Sequence, residues 1–295
     1  MIRFGPAGNC DSFYAEGHKR SEEAPAWLEA RGLNAYEYSF GRGVSLREET
    51  ARRIAEEAET HGVRVSVHAP YYINLASAEA EKREKSIAYI VESARRVRWL
   101  GGNRVVVHVG AQQKQDREEA LAHCQAGLLQ AQEALDREGL SEVHICPETM
   151  GKGAQIGNLA ETLAFCQLEK RFVPCIDFAH LHALYGGALQ TQSDFAAVLD
   201  EIEEGIGLER ARSIHIHFST IEYTEKGEKR HRTFAEKEYG PRFDRLAPLL
   251  AERGCEPVVI CECSGTQAED AQEMKRFFEG EMKKAPSDSF SPEKA

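Results

Sequence analysis

The 295-residue chain has no C-x2-C pair, no apolar run of membrane length and no excess of basic residues, and each absence removes a class of protein. Without paired spacing, the eight cysteines do not compose a zinc knot or a disulfide framework. Several stand inside apolar, strand-like runs (Cys146, Cys175, Cys261), the setting of reduced thiols buried in a core. Cys261 and Cys263 flank Glu262, so strand alternation turns them away from it, toward the outer layer. No stretch reaches the roughly 20 apolar residues of a membrane helix. The opening MIRFGPAGN lacks a basic segment followed by an apolar run, so a cytoplasmic protein is expected. Lys and Arg number 37 against 48 Asp and Glu, a net charge of −11, the wrong sign for coating nucleic acid non-specifically. Bound cations dominate the local field where they sit, so acidity lowers the expectation of a nucleic-acid substrate without removing it.

What the chain does contain is regular alternation. Short β-rich runs at 2–4, 35–38, 64–68, 104–108, 143–146, 173–176, 213–218 and 257–261 predict strands. Between and after them, 24–31, 46–61, 78–100, 116–137, 158–167, 195–205, 243–253 and 268–283 predict helices. Eight strands, each followed by a helix, predict a parallel sheet, and closing it explains the count: an α/β chain forming a single (β/α)8 TIM barrel over 1–284. The connections 149–157 and 219–242 are long enough to be functional loops. The polar, Pro/Ser-rich tail 285–295 is expected to be disordered. A monomer is expected.

Metal-capable side chains fall at the ends of these runs. Strand three ends VRVSVHAP with His68 and strand four RVVVHVG with His108. Strand five ends HICPET with Glu148, and strand six CIDFAH with Asp177 and, three residues on, His180. Strand seven, SIHIHFS, carries His215 and His217 on one face, and strand eight ends VVICECSG with Glu262. Barrel strand ends converge on one rim, where barrel active sites lie. Taken singly, each residue has an ordinary explanation as a cap, an ion-pair partner or a core histidine. Six or more on one rim do not share one. Imidazole with carboxylate suits Zn2+, with Mn2+ or Fe2+ as further fits. Glu148 and Glu262 are the candidate catalytic carboxylates. The spacing leaves open which of His215 and His217 is the ligand.

At these residues the chain resembles the endonuclease IV-like family (type 2 apurinic/apyrimidinic endonucleases), within the wider xylose-isomerase-like barrel superfamily. The most specific stretch is HAPYYINLAS from His68. His108-Val109-Gly110, Pro147-Glu148-Thr149, Asp177-Phe178-Ala179-His180 and Arg230-His231 follow in the family's motif order across nearly the whole barrel. The resemblance implies up to three zinc ions: one on His68, His108 and Glu148; one on Glu148, Asp177, His215 or His217, and Glu262; and one receiving His180 and His231. It also implies attack by metal-activated hydroxide on the phosphate 5′ to an abasic sugar in duplex DNA. Tyr71 and Asn74 would then lie at the substrate, with Arg42, in the short loop after strand two, either a DNA-penetrating residue or a solvated loop charge. Lys229 departs from the pattern, standing where that family has an aspartate two residues before the histidine. Either Glu228 or Glu222 replaces that aspartate, or the rim holds two ions. The alternative function is a sugar isomerase or epimerase of the same superfamily acting on a small carbohydrate, with Glu148, Asp177, one strand-seven histidine and Glu262 as its core set. The acidic charge favours it and the motif after strand three opposes it. A degenerate barrel keeping metals only for structure is the third reading, and closed four-ligand structural sites argue against so open a rim.

Overall fold

The computed structural model describes residues 1–41 and 43–284. Arg42 and the tail 285–295 lie outside the described residues. All eight expected strands form: β1 (Arg3–Pro6), β2 (Ala35–Ser39), β3 (Arg64–His68), β4 (Arg104–Val107), β5 (His144–Pro147), β6 (Cys175–Asp177), β7 (His215–Phe218) and, after an intervening hairpin, β10 (Val258–Cys261). They pair in parallel as two arcs, β2-β3-β4-β5 and β6-β7-β10-β1. Parallel bridges Ala7↔Glu37 and Glu148↔Cys175 join the arcs at both seams, so the sheet closes. Because a strand's side chains alternate, one set faces the helices and the other the axis. Ile216 and Phe218 of β7 join the large apolar core outside the sheet. Along the axis the apolar filling is thin, only Ala35, Val258 and Ile260 on one side and Val106, Cys146 and Cys175 on the other. The rest of the interior is polar.

Caps place the helices. Asn158 and Glu161 form a capping box at Leu159–Leu168, Thr191 and Asp194 one at Gln192–Ile206, and Asp116 caps Arg117–Arg137. Each is worth about 1 kcal/mol. One glycine matters to closure. A Cβ on Gly5 of β1 would collide with the Ala35 carbonyl of β2. Gly5→Ala is therefore expected to destabilise the protein by about 1–3 kcal/mol or more, read from its denaturation midpoint. An unchanged midpoint would show that the β1–β2 seam is not tight.

Two departures from the expected elements bear on the rim. The connection 219–242 is not a plain loop: it holds an antiparallel hairpin, β8 (Thr220–Thr224) and β9 (Gly227–Arg232). Thr-Ile-Glu-Tyr-Thr has β-forming composition, but Gly-Glu-Lys-Arg-His-Arg has none, so only pairing reveals the second strand. The helix Phe178–Leu184 begins directly at the end of β6 and carries His180 and His182. Among the described residues, no helix is long and apolar enough to cross a membrane. All eight cysteines are free and buried.

Candidate metal centre

The rim residues enter from strand ends whose register brings them level. Asp177 of β6 pairs with His217 of β7, and Ser39 of β2 with His68 of β3. Glu148, directly after β5, sits on the bridge that closes the barrel and is fully buried. Its Oε2 lies 3.1 Å from His68 Nε2 and 2.9 Å from His108 Nε2. Its Oε1 lies 3.2 Å from His217 Nδ1, which is also 3.2 Å from Glu262 Oε1. Asp177 caps the helix Phe178–Leu184, one oxygen accepting from the His180 N–H at 2.7 Å. The other oxygen is buried without a hydrogen-bond partner. The cap therefore explains half of this carboxylate and leaves the other half aimed into the rim.

Potential ligand atoms fall into three rim groups: His68, His108 and Glu148; Glu148, Asp177, His217 and Glu262; Asp177, His180 and His231. Glu148 belongs to the first two and Asp177 to the last two, so two carboxylates link all three. The imidazoles are oriented from behind, as ligating histidines are. His68 Nδ1 donates to the Ala69 carbonyl at 2.7 Å and His180 Nδ1 to the Thr149 carbonyl at 2.8 Å. Ser219 gives its hydroxyl proton to the Thr220 carbonyl, so His231 Nδ1 donates to Ser219 Oγ at 2.7 Å. These partners assign the proton to Nδ1 and leave each Nε2 as an acceptor turned to the rim.

Acceptors and carboxylates facing each other at these distances demand positive charge between them. Burial pushes Glu148 upward, but His108 and His217 outweigh it and hold its carboxyl well below the usual range. Burial opposes charge on His68, yet Glu148 lifts that imidazole to about 9. Burial likewise opposes charge on His180, while Asp177 and Glu148 raise it to about 9. Glu262 is pushed up by burial and pulled down to about 2, chiefly by His217. Protons on the histidines satisfy that demand in the metal-free protein, and a divalent cation satisfies it in their place. The residues fit zinc, and equally Mn2+ or Fe2+, by donor type and convergence.

His215 does not join these groups. It lies deeper on β7, its Nε2 3.1 Å from Glu37 Oε2, and burial holds it neutral, down to about 4. His217 Nε2 is 3.0 Å from Glu37 Oε1, which leaves Nδ1 as its rim-facing atom. His215 also nears Cys175 and His217, but burial pushes the Cys175 thiol well above its ordinary value, and a protonated thiol is a poor ligand. The Asn74 side-chain oxygen accepts from the Ala111 N–H at 3.1 Å, clasping the loops after β3 and β4. Tyr71 is exposed on the turn after β3. Neither Glu37 nor the placement of Glu228 was anticipated. Glu37 was legible as the lone acid in AYEYS, on the face opposite the two tyrosines.

Comparison with known proteins agrees with the barrel fold. A family model described as xylose isomerase-like TIM barrel matches residues 25–280. An uncharacterized protein of Methanocaldococcus jannaschii is 34% identical over 262 residues, 89% of this chain and 92% of that protein. Endonuclease 4 of Thermus thermophilus is 30% identical over 180 residues, which cover 60% of this chain and 61% of that relative, under two thirds of its length. Among solved structures, an endonuclease IV from Thermus thermophilus superposes with TM-score 0.69 at 22% identity, over 96% of this chain and all of that one (100%). A D-tagatose 3-epimerase-like protein superposes with TM-score 0.73 at 18% identity, over 96% and 99%. At such identities the structural likeness speaks for the fold alone.

Proposed function

The chain belongs to the xylose isomerase-like TIM barrel family, and from that premise we propose that it is a metal-dependent phosphodiesterase of the endonuclease IV type, cutting duplex DNA 5′ to abasic sites. The observation that carries this reading is the linkage of three ligand groups through Glu148 and Asp177. An isomerase or epimerase working with one metal would be complete with Glu148, Asp177, His217 and Glu262. It would have no use for His68 and His108 on one side or His180 and His231 on the other. When bound, clustered divalent ions activate water and clamp the attacking and leaving oxygens of an in-line phosphoryl displacement.

The chain's own residues supply the rest. Glu148 and Asp177, both fully buried, hold the groups in register from below. His108, His231 and Glu262 are partly open to solvent and form the face a phosphate would meet. Glu262 is anionic at neutral pH and can ligate a cation or accept a hydrogen bond from an attacking water. Arg230, exposed on the hairpin and paired with Glu222, lines the same cleft of about 580 Å³ as His231 and Glu262. Tyr71 offers an exposed ring on the rim against which a base beside an extruded sugar would stack. The sequence-related endonuclease 4 of Thermus thermophilus supports the same substrate class.

Zinc-replete protein is expected to incise a duplex oligonucleotide bearing one abasic-site analogue on its 5′ side, and to lose that activity on chelation. The second reading, a sugar isomerase or epimerase with carboxylates as acid and base, is favoured by the net charge of −11. Metal-loaded protein that leaves the lesion intact but interconverts a small ketose would establish it instead.

A further inference from the structure

We infer that Glu228, turned inward by a β-bulge in the hairpin, adds a second carboxylate beside Asp177 to the third ligand group, in place of residue 229. The inference rests on the metal-cluster reading of the rim but not on the identity of the substrate. In a regular ladder residues 227, 229 and 231 of β9 would share a face, and Lys229 would stand beside His231. The ladder is not regular. Ile221 pairs with His231 and Glu222 with Arg230, but Tyr223 pairs with Glu228, so Lys229 is an extra residue on β9. One inserted residue reverses the alternation beyond it. Glu228 therefore shares the inner face with His231, opposite Ile221 and Tyr223.

Burial agrees with that reversal. The Lys229 and Arg230 side chains are 58% and 62% exposed, whereas that of Glu228 is 16% exposed. Glu222, the other acid near enough to serve, faces away and is held by Lys229, Arg230 and Arg232. Glu228 Oε2 lies 3.6 Å from His180 Nε2, the nitrogen left unprotonated when Nδ1 donates to Thr149. Carboxylate oxygen and imidazole lone pair thus face each other as Glu148 and His68 do in the first group. The approach is built into the backbone: the Glu228 N–H donates to the Gly151 carbonyl at 2.9 Å. A Cβ on Gly151 would stand 2.7 Å from the Glu228 Cβ, so only glycine admits the carboxylate there. This gives the loop 149–157 its part in the site.

The test is zinc content per chain after exhaustive dialysis, measured by elemental analysis alongside thermal unfolding. Glu228→Gln is expected to hold one zinc fewer than wild type, and Gly151→Ala, which crowds Glu228 from the opposite side, to show the same loss. Glu222→Gln and Lys229→Asp are expected to keep the wild-type count, because neither side chain faces the group. A Glu228→Gln protein with the full zinc count and wild-type resistance to chelator overturns the inference. So does a Lys229→Asp protein that gains a zinc, since residue 229 rather than Glu228 would then be the position that completes the group. Absence of DNA incision by wild type, with the Glu228-dependent zinc still present, would defeat the endonuclease reading and leave this one standing.

Discussion

Glu148→Gln is expected to reduce incision of abasic DNA by about three orders of magnitude or more and to weaken metal binding in two ligand groups at once. The size follows from position. Glu148 presents one oxygen to His68 and His108 and the other to His217. Lewis-acid stabilisation of a phosphoryl transition state is worth several kcal/mol, and each 1.36 kcal/mol is about tenfold in rate. Losing about 4 kcal/mol therefore costs about a thousandfold. The amide matches the carboxylate in volume, so the closed barrel keeps its packing, and circular dichroism should be unchanged. Single-turnover incision and zinc analysis on the same preparation check both parts. A variant with wild-type rate and zinc count would show that the shared carboxylate is not the keystone of the site.

The largest stability effect is expected at Glu37, which touches no substrate. Glu37→Ala should lower the free energy of unfolding by about 3–5 kcal/mol, the cost of removing one partner from a buried charge pair. Its carboxylate is fully buried and accepts from Ser66 Oγ at 2.8 Å, while facing His215 and His217. Burial pushes its pKa up, but His217 and His215 together hold the carboxyl well below the usual range. Removal leaves the Ser66 hydroxyl without its acceptor, takes the carboxylate away from His215 and His217, and frees His217 to turn. Zinc affinity is expected to fall about 10–100-fold, as it does when the group behind a ligating histidine is lost. Denaturant midpoints of metal-free and zinc-loaded protein separate the two effects. Equal midpoints for variant and wild type would mean that Glu37 is a bystander.

The rim was legible in the sequence to the extent that strand ends are. In VRVSVHAP, RVVVHVG and VVICECSG an apolar run terminates on one polar side chain, and parallel closure makes those ends neighbours. Depth was not legible. His215 and His217 share a face of β7 because side chains alternate; chain direction puts His217 nearer the rim, but nothing in SIHIHFS says which of the two is level with the other ligands. The stagger of the strands decides it: His217 is level with Asp177, while His215 is level with Cys175 one step below. Asn74 stands in the motif after β3, and its place there was legible. Its clasp on Ala111, thirty-seven positions away, had no local signal. The hairpin was hidden for a related reason, since GEKRHR becomes a strand only through its pairing with TIEYT.

The amino-acid sequence by itself determined the eight strand-helix units, the closed barrel, the family and the shortlist of imidazoles and carboxylates at one rim. Those depend on hydrophobic period and on runs that end in polar residues, which are local properties. The tertiary structure alone decided that Asp177 is shared between the second and third groups, that Glu37 stands behind His217, and that Glu228 rather than Glu222 or Lys229 faces His180. These depend on strand stagger and on a single-residue bulge. A shift of one residue in either turns a side chain to the opposite face without altering the composition of the strand that carries it.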